Sequence, residues 1–153
     1  MMPITANLGE GPVAAQILEV RLDGAPTHFA AWQSANFSPG DLANPLLSGE
    51  NAAPFGDGIP NLLRYALGAS SGDAVALPQF SQAAATFRFR YNPALFDIVY
   101  QVEATGNLAD WSNPVVIFNS AISSLQPAVD GWLTVSDPAP PPGRRFYRLR
   151  VTR

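Results

Sequence analysis

From Thr86 onward the apolar side chains recur at every second position, and that period decides the fold class. In Thr86-Phe87-Arg88-Phe89-Arg90-Tyr91 the aromatics share one face and the two arginines the other. Tyr100, Val102 and Ala104 alternate with Val99, Gln101 and Glu103, and further strands read from 114–118, 132–135 and 146–151. Successive strand side chains point to opposite faces, so each segment buries one face against a second layer. Short strands separated by turns predict an antiparallel β-sandwich of about seven strands. Fifteen Pro and twelve Gly in 153 residues fit a chain of many turns. Asp137-Pro138-Ala139-Pro140-Pro141-Pro142-Gly143 has too few N–H groups for a central strand and reads as a stiff surface loop.

Before residue 80 the pattern is mixed, and the chain divides there into 1–80 and 81–153 within one globular unit. Leu18, Val20 and Leu22 alternate with Glu19 and Arg21 as in a half-buried strand, and Asp23-Gly24-Ala25-Pro26 is turn material. Thr27 can cap a short helix that carries Phe29, Trp32 and Phe37 toward the core. Residues 38–58 read as a loop. Ile59, Leu62, Leu63, Ala66 and Leu67 then form an apolar stripe at helical spacing. Pro60 falls in the first turn of this helix, and Gly68 ends it in the left-handed conformation. The expected fold is mainly β, an antiparallel β-sandwich with two short helices in the N-terminal half.

Composition excludes several function classes. With no Cys and one His, His28, neither thiolate nor multi-histidine metal sites can form, and no Cys nucleophile exists. All nine basic residues are Arg, against twelve acids, and a net charge of −3 gives no basic footprint for nucleic acid. No apolar run approaches the roughly 20 residues of a membrane span. Met1-Met2-Pro3-Ile4-Thr5 has neither a basic nor an apolar leader region, so no signal peptide is expected on this chain. The expected setting is cytoplasmic unless the chain belongs to a longer protein.

Gly56-Asp57-Gly58-Ile59-Pro60-Asn61-Leu62-Leu63-Arg64-Tyr65-Ala66-Leu67-Gly68 resembles the Asp-rich loop and helix of a C-terminal module of large secreted bacterial proteins. That loop usually reads D-x-D-G-D-G-x-x-N-x-x-E-Y-A-x-G and is akin to thrombospondin type-3 and EF-hand-like calcium loops. Tyr100-Gln101-Val102-Glu103-Ala104, Asn107-Leu108-Ala109-Asp110-Trp111 and the terminal 145–152 are similar to the same module's sandwich, and to strands three and six of a fibronectin type III domain. The resemblance spans about residues 28–153. It implies a non-catalytic accessory or anchoring module at the end of an exported protein, located outside the cell or at its surface.

The departures from that pattern carry their own chemistry. A calcium loop needs several hard oxygen ligands and a closing carboxylate. Here Ala53 and Phe55 stand at the first two Asp positions, Asp57 and Asn61 keep theirs, and Arg64 replaces the closing Glu. No calcium and no cofactor are expected. Two placements follow for Arg64: a guanidinium that replaces the ion by reaching Asp57 or backbone carbonyls, or a side chain on the solvated face of the helix.

The remaining candidates are aromatic and charged. Trp32, Trp111 and Trp132 are the possible sugar-binding aromatics; Trp32 and Trp111 read as core, whereas Trp132, after Asp130-Gly131, lies nearer the surface. If 100–104 and 146–151 pair, Gln101 and Glu103 share an outer face with Arg148 and Arg150, where opposite charges add ~0.2–1 kcal/mol each. The five arginines in the last ten residues could instead dock an acidic partner. His28 reads as a capping or exposed residue, and no hydrolase, Walker or dinucleotide motif occurs. The expected function is a binding or anchoring module for polysaccharide or a cell-surface component. The alternatives are a small hydrolase acting on carbohydrate or ester through an unrecognised site, and a subunit that self-associates through its edge strands.

Overall fold

The computed structural model describes residues 28–123, 128–140 and 143–153. Within them, six strands form two three-stranded antiparallel sheets. The first holds β1 (Gln79–Ser81), β2 (Thr86–Arg90) and β5 (Trp132–Ser136) in the order β1-β2-β5. The second holds β3 (Val99–Thr105), β4 (Val115–Asn119) and β6 (Phe146–Thr152) in the order β4-β3-β6. Phe87, Phe89, Leu133 and Val135 from the first sheet meet Tyr100, Val102 and Phe118 from the second in one core. Their strand neighbours Arg88, Thr134 and Ser136 are exposed, as period-two alternation requires.

Four short helices lie in the N-terminal half of the described chain: α1 (His28–Asn36), α2 (Pro39–Leu42), α3 (Pro45–Ser48) and α4 (Asn61–Ala66). Two helices were expected, and the single turns α2 and α3 occupy the stretch read as loop. Each has a capping side chain followed by Pro at the first helical position. Ser38 Oγ accepts from Asp41 N–H at 3.2 Å, and Asn44 Oδ1 accepts from Leu46 N–H at 3.1 Å. A Pro there forfeits no hydrogen bond and arrives with helical φ, so Ser-Pro and Asn-Pro start helices as readily as turns. Pro60 is the N-cap of α4 and precedes its first turn. At the other end Ala69 N–H donates to Arg64 O and Gly68 N–H to Tyr65 O, both at 3.0 Å, with Gly68 at φ +76°. That crossed pair of bonds is a Schellman stop, and it needs the left-handed residue that Gly supplies.

The helices join the same core. Phe29, Leu62, Tyr65 and Ala66 pack with the aromatics of the strands, and Tyr100 Oη donates to Ala66 O at 2.8 Å. Asp97, just ahead of β3, accepts from Phe29 N–H and Tyr65 Oη, both at 2.8 Å, and so ties α1 and α4 to the second sheet. Arg153 closes the last strand onto the helical layer through Glu50 at 2.6 Å. Strand β1 has no period to betray it; it forms by pairing Phe80 with Phe87 and stacking Phe80 on Tyr147 at 4.5 Å. The strand expected at 18–22, the 23–26 turn and the Thr27 cap lie outside the described residues. Among the described residues no helix is long and apolar enough to cross a membrane.

Candidate functional site

Strand β5 begins straight after a two-residue turn. Asp130 and Gly131 both have positive φ, 52° and 75°, and Val129 and Trp132 exchange both backbone hydrogen bonds at 2.9 Å. Asp-Gly is the sequence such a mirror-image turn favours, because both central residues must be left-handed. The turn delivers Trp132 to the outward face of the first sheet, directly opposite Arg90. There the guanidinium carbon of Arg88 lies 4.6 Å from the indole centroid, and that of Arg90 5.5 Å. Arg90 Nη1 also donates to Asp130 O at 2.9 Å. A Cβ on Gly131 would come within 3.1 Å of the Arg90 guanidinium, so glycine serves both the turn and the cation beside it.

This face is rich in donors and poor in acceptors. Among the described residues neither Arg88 nor Arg90 reaches a carboxylate. The indole N–H groups of Trp32 and Trp111 donate to Ala69 O and Leu108 O at 3.0 and 2.9 Å, whereas that of Trp132 has no acceptor among the described residues. Arg90 further lines a groove of about 520 Å³ with Leu67, Gly68, Tyr91, Asn92 and Gly131. Burial raises the Tyr91 hydroxyl above its ordinary pKa, which keeps it neutral.

The three tryptophans do not share a platform. Trp32 stacks on Phe29 at 5.7 Å and leans on Phe37 and Tyr65 beside the core. Trp111 lies between β3 and β4, under the Arg148 guanidinium at 4.3 Å, on the outward side of the second sheet. Trp132 alone belongs to the outward face of the first sheet.

Arg64 is fully buried, which overturns its placement on a solvated helix face. Its guanidinium donates to the exposed Asp57 carboxylate, to Asp73 O at 2.7 Å and to Ser70 O at 3.4 Å, and lies 4.6 Å from the Phe55 centroid. The Ile59 N–H, donated to Asp57 at 3.0 Å, and the Arg64 pairing hold the Asp57 carboxyl below its usual range against a desolvation that acts the other way. Beside them Asn61, also fully buried, donates to Leu47 O and Gly49 O at 2.8 and 2.9 Å and fastens α3 to α4. The helix therefore buries more than its apolar stripe.

Glu103 shares the expected outer face with Arg148 and Arg150, but it is buried there, only 2% exposed. The register pairs Gln101 with Arg150 and Glu103 with Arg148. A register shift between Val102 and Glu103 interrupts the pairing with β4, and the carboxylate is capped by Arg148 at 2.7 Å and Arg150 at 3.4 Å. Asp137 is likewise buried; it pairs with Arg145 at 2.8 Å and accepts from Tyr147 Oη at 2.9 Å. Arg145, paired with that acid, lines a second groove of about 560 Å³ together with Phe80, Arg144 and Tyr147. His28 is exposed, with its ring centroid 5.5 Å from that of Phe96 in an edge-on arrangement. Among the described residues no cluster of three or more His, Asp or Glu can hold a metal ion.

Sequence reasoning singled out Trp132 but missed its flanking arginines as a unit. The period-two arginines of β2 and the Asp-Gly ahead of Trp132 were the signals; only the β2–β5 register brings them together. The chain matches no protein-family model, no curated protein and no solved structure.

Proposed function

We propose that this chain is a non-catalytic binding or anchoring module, the C-terminal part of a larger exported protein, which attaches to polysaccharide or a cell-surface component. The observation that carries this reading is the outward face on which Arg88 and Arg90 flank Trp132 with no carboxylate partner among the described residues. A half-buried aromatic bordered by two planar donors is a surface for recognition. The carboxylates support the same reading. Glu50, Asp57, Glu103 and Asp137 each hold an arginine, and Asp97 holds a backbone N–H and a hydroxyl. Acids so engaged are structural, unlike the paired carboxylates a glycosidase needs. The setting proposed is extracellular or at the cell surface.

The experiment is a pull-down of the chain on a panel of insoluble polysaccharides, repeated with Trp132→Ala and Trp132→Phe. Retention that falls with Trp132→Ala, and partly returns with Trp132→Phe, is the expected result. Retention on no polymer contradicts the reading.

A second reading has its own observation. Strand β4 is an edge of its sheet, and Val115 and Val116 on it are 55% and 49% exposed. An apolar edge strand is a template for a second copy. Self-association through β4 predicts a concentration-dependent dimer in sedimentation, abolished by Val116→Lys.

A further inference from the structure

The donors around Trp132 also constrain what kind of polymer the face accepts. Of the nine arginines, Arg21 lies outside the described residues and five of the other eight sit in ion pairs. The three left over are Arg88, Arg90 and Arg144, and two of these converge on one indole ring. Five of the described arginines are brought to acids, whereas on this face two lie side by side with none among the described residues.

We propose that the face binds an acidic polysaccharide, a polymer whose sugars carry carboxylate groups, with Arg88 and Arg90 as its anion receptors; this rests on the binding-module reading above. The Arg88 guanidinium, the remaining N–H groups of Arg90 and the Trp132 indole N–H are donors with no acceptor among the described residues, beside the exposed hydroxyls of Thr134 and Ser136, which donate or accept. A ligand that complements the three donors brings acceptors to them, as a carboxylate does. The planar guanidinium fork matches a carboxylate in two parallel hydrogen bonds. Both forks lie against the indole ring, and the Asp130 carbonyl also holds Arg90. Such support reduces the conformational entropy that binding would otherwise forfeit.

The same physics selects a polymer over a small anion. An exposed ion pair is worth little in water, so one carboxylate on this open sheet would not stay. A chain that repeats the anion along its length rebinds from a high effective concentration and needs no deep pocket. Exposed Thr134 and Ser136 extend the face along β5 with hydroxyls suited to sugar. A nucleic acid is the poorer fit, because single strands are held by successive bases stacked on several aromatics, and among the described residues Trp132 is the one aromatic on this outward face.

The test is affinity electrophoresis of the full chain in gels containing polygalacturonate, its fully methyl-esterified form or single-stranded polythymidylate, with neutral cellulose and xylan run alongside. The expected result is retardation by polygalacturonate, loss of that retardation on esterification, and weakening as salt rises from about 0.05 to about 0.5 M. The Arg88→Gln/Arg90→Gln variant, checked for folding by circular dichroism, should bind about tenfold more weakly. Single Arg88→Gln, at an exposed position, gives the same direction if the double variant fails to fold. Arg144→Gln, the unpaired arginine away from the face, should bind as wild type. Equal retardation by acid and ester, or by neutral glucan, overturns the anionic ligand and leaves the binding module standing. Retardation by no polymer overturns both. Stronger retardation by polythymidylate overturns the proposal in favour of nucleic acid.

Discussion

Arg64 shows how a single buried cation can organise a loop. Its three acceptors come from residues 57, 70 and 73, so one side chain ties the segment before α4 to the segment after it. Arg64→Ala leaves those acceptors and a cavity behind, and should cost about 2–4 kcal/mol in urea denaturation. Arg64→Lys should recover only part of this, since an ammonium lacks the planar fork. A loss within error for both would mean the loop does not depend on the guanidinium. Glu103 makes a similar point in the sheet. An exposed cross-strand pair would be nearly neutral, but this carboxylate is buried and accepts from two arginines. Glu103→Gln should therefore cost about 1.5–3 kcal/mol, and a change below 0.5 or so would show that the charge contributes little. Asp57 with Arg64, and Glu103 with Arg148 and Arg150, were legible as candidate partners in the sequence. The burial of Arg64 and Glu103 was not, because it depends on how other segments of the chain pack over them, as Ser70 and Asp73 close on Arg64 and Arg148 closes on Glu103.

At the scale of elements, Asp97 joins helices to strands and does so as a carboxylate. Desolvation works to raise its pKa, but the Phe29 N–H and the Tyr65 hydroxyl outweigh this and hold it below its ordinary 3.8. A depressed folded-state pKa contributes stability above the unfolded value, lost as pH falls through the folded one. The stability difference between wild type and Asp97→Asn should thus be constant above about pH 5 and shrink below pH 4 or so, measured by denaturant titration across pH. A difference independent of pH would contradict it. Five of the six strands were legible, four from the alternation the pleat imposes and β4 from its short apolar run, and α4 because of its stripe and its Gly68 stop. Strand β1 was not, since three residues hold no period, and α2 and α3 were hidden by prolines that start helices as well as end them. The Arg88–Trp132–Arg90 face was half legible: β2 displays its arginines in sequence, whereas their meeting with Trp132 is a fact of register between strands forty residues apart.

The molecule as a whole is a two-sheet β structure with a helical layer sharing its core. Where the resembling calcium loop would close on an ion, this chain places Arg64 against Asp57. Thermal melts with millimolar calcium and with chelator should therefore coincide, and a shift of several degrees would contradict the account of this loop. The central claim concerns the opposite kind of site, a face that keeps its cations free for a ligand. The three indole N–H groups report on three separate places: the helical layer, the outer side of the second sheet and the outer side of the first. The most direct measurement is a ¹H–¹⁵N NMR titration of the chain with short polygalacturonate, following all three indole signals together. The account predicts that the Trp132 signal moves and saturates while those of Trp32 and Trp111 stay in place. Movement of Trp111 or Trp32 with Trp132 unmoved would place the ligand elsewhere and contradict it.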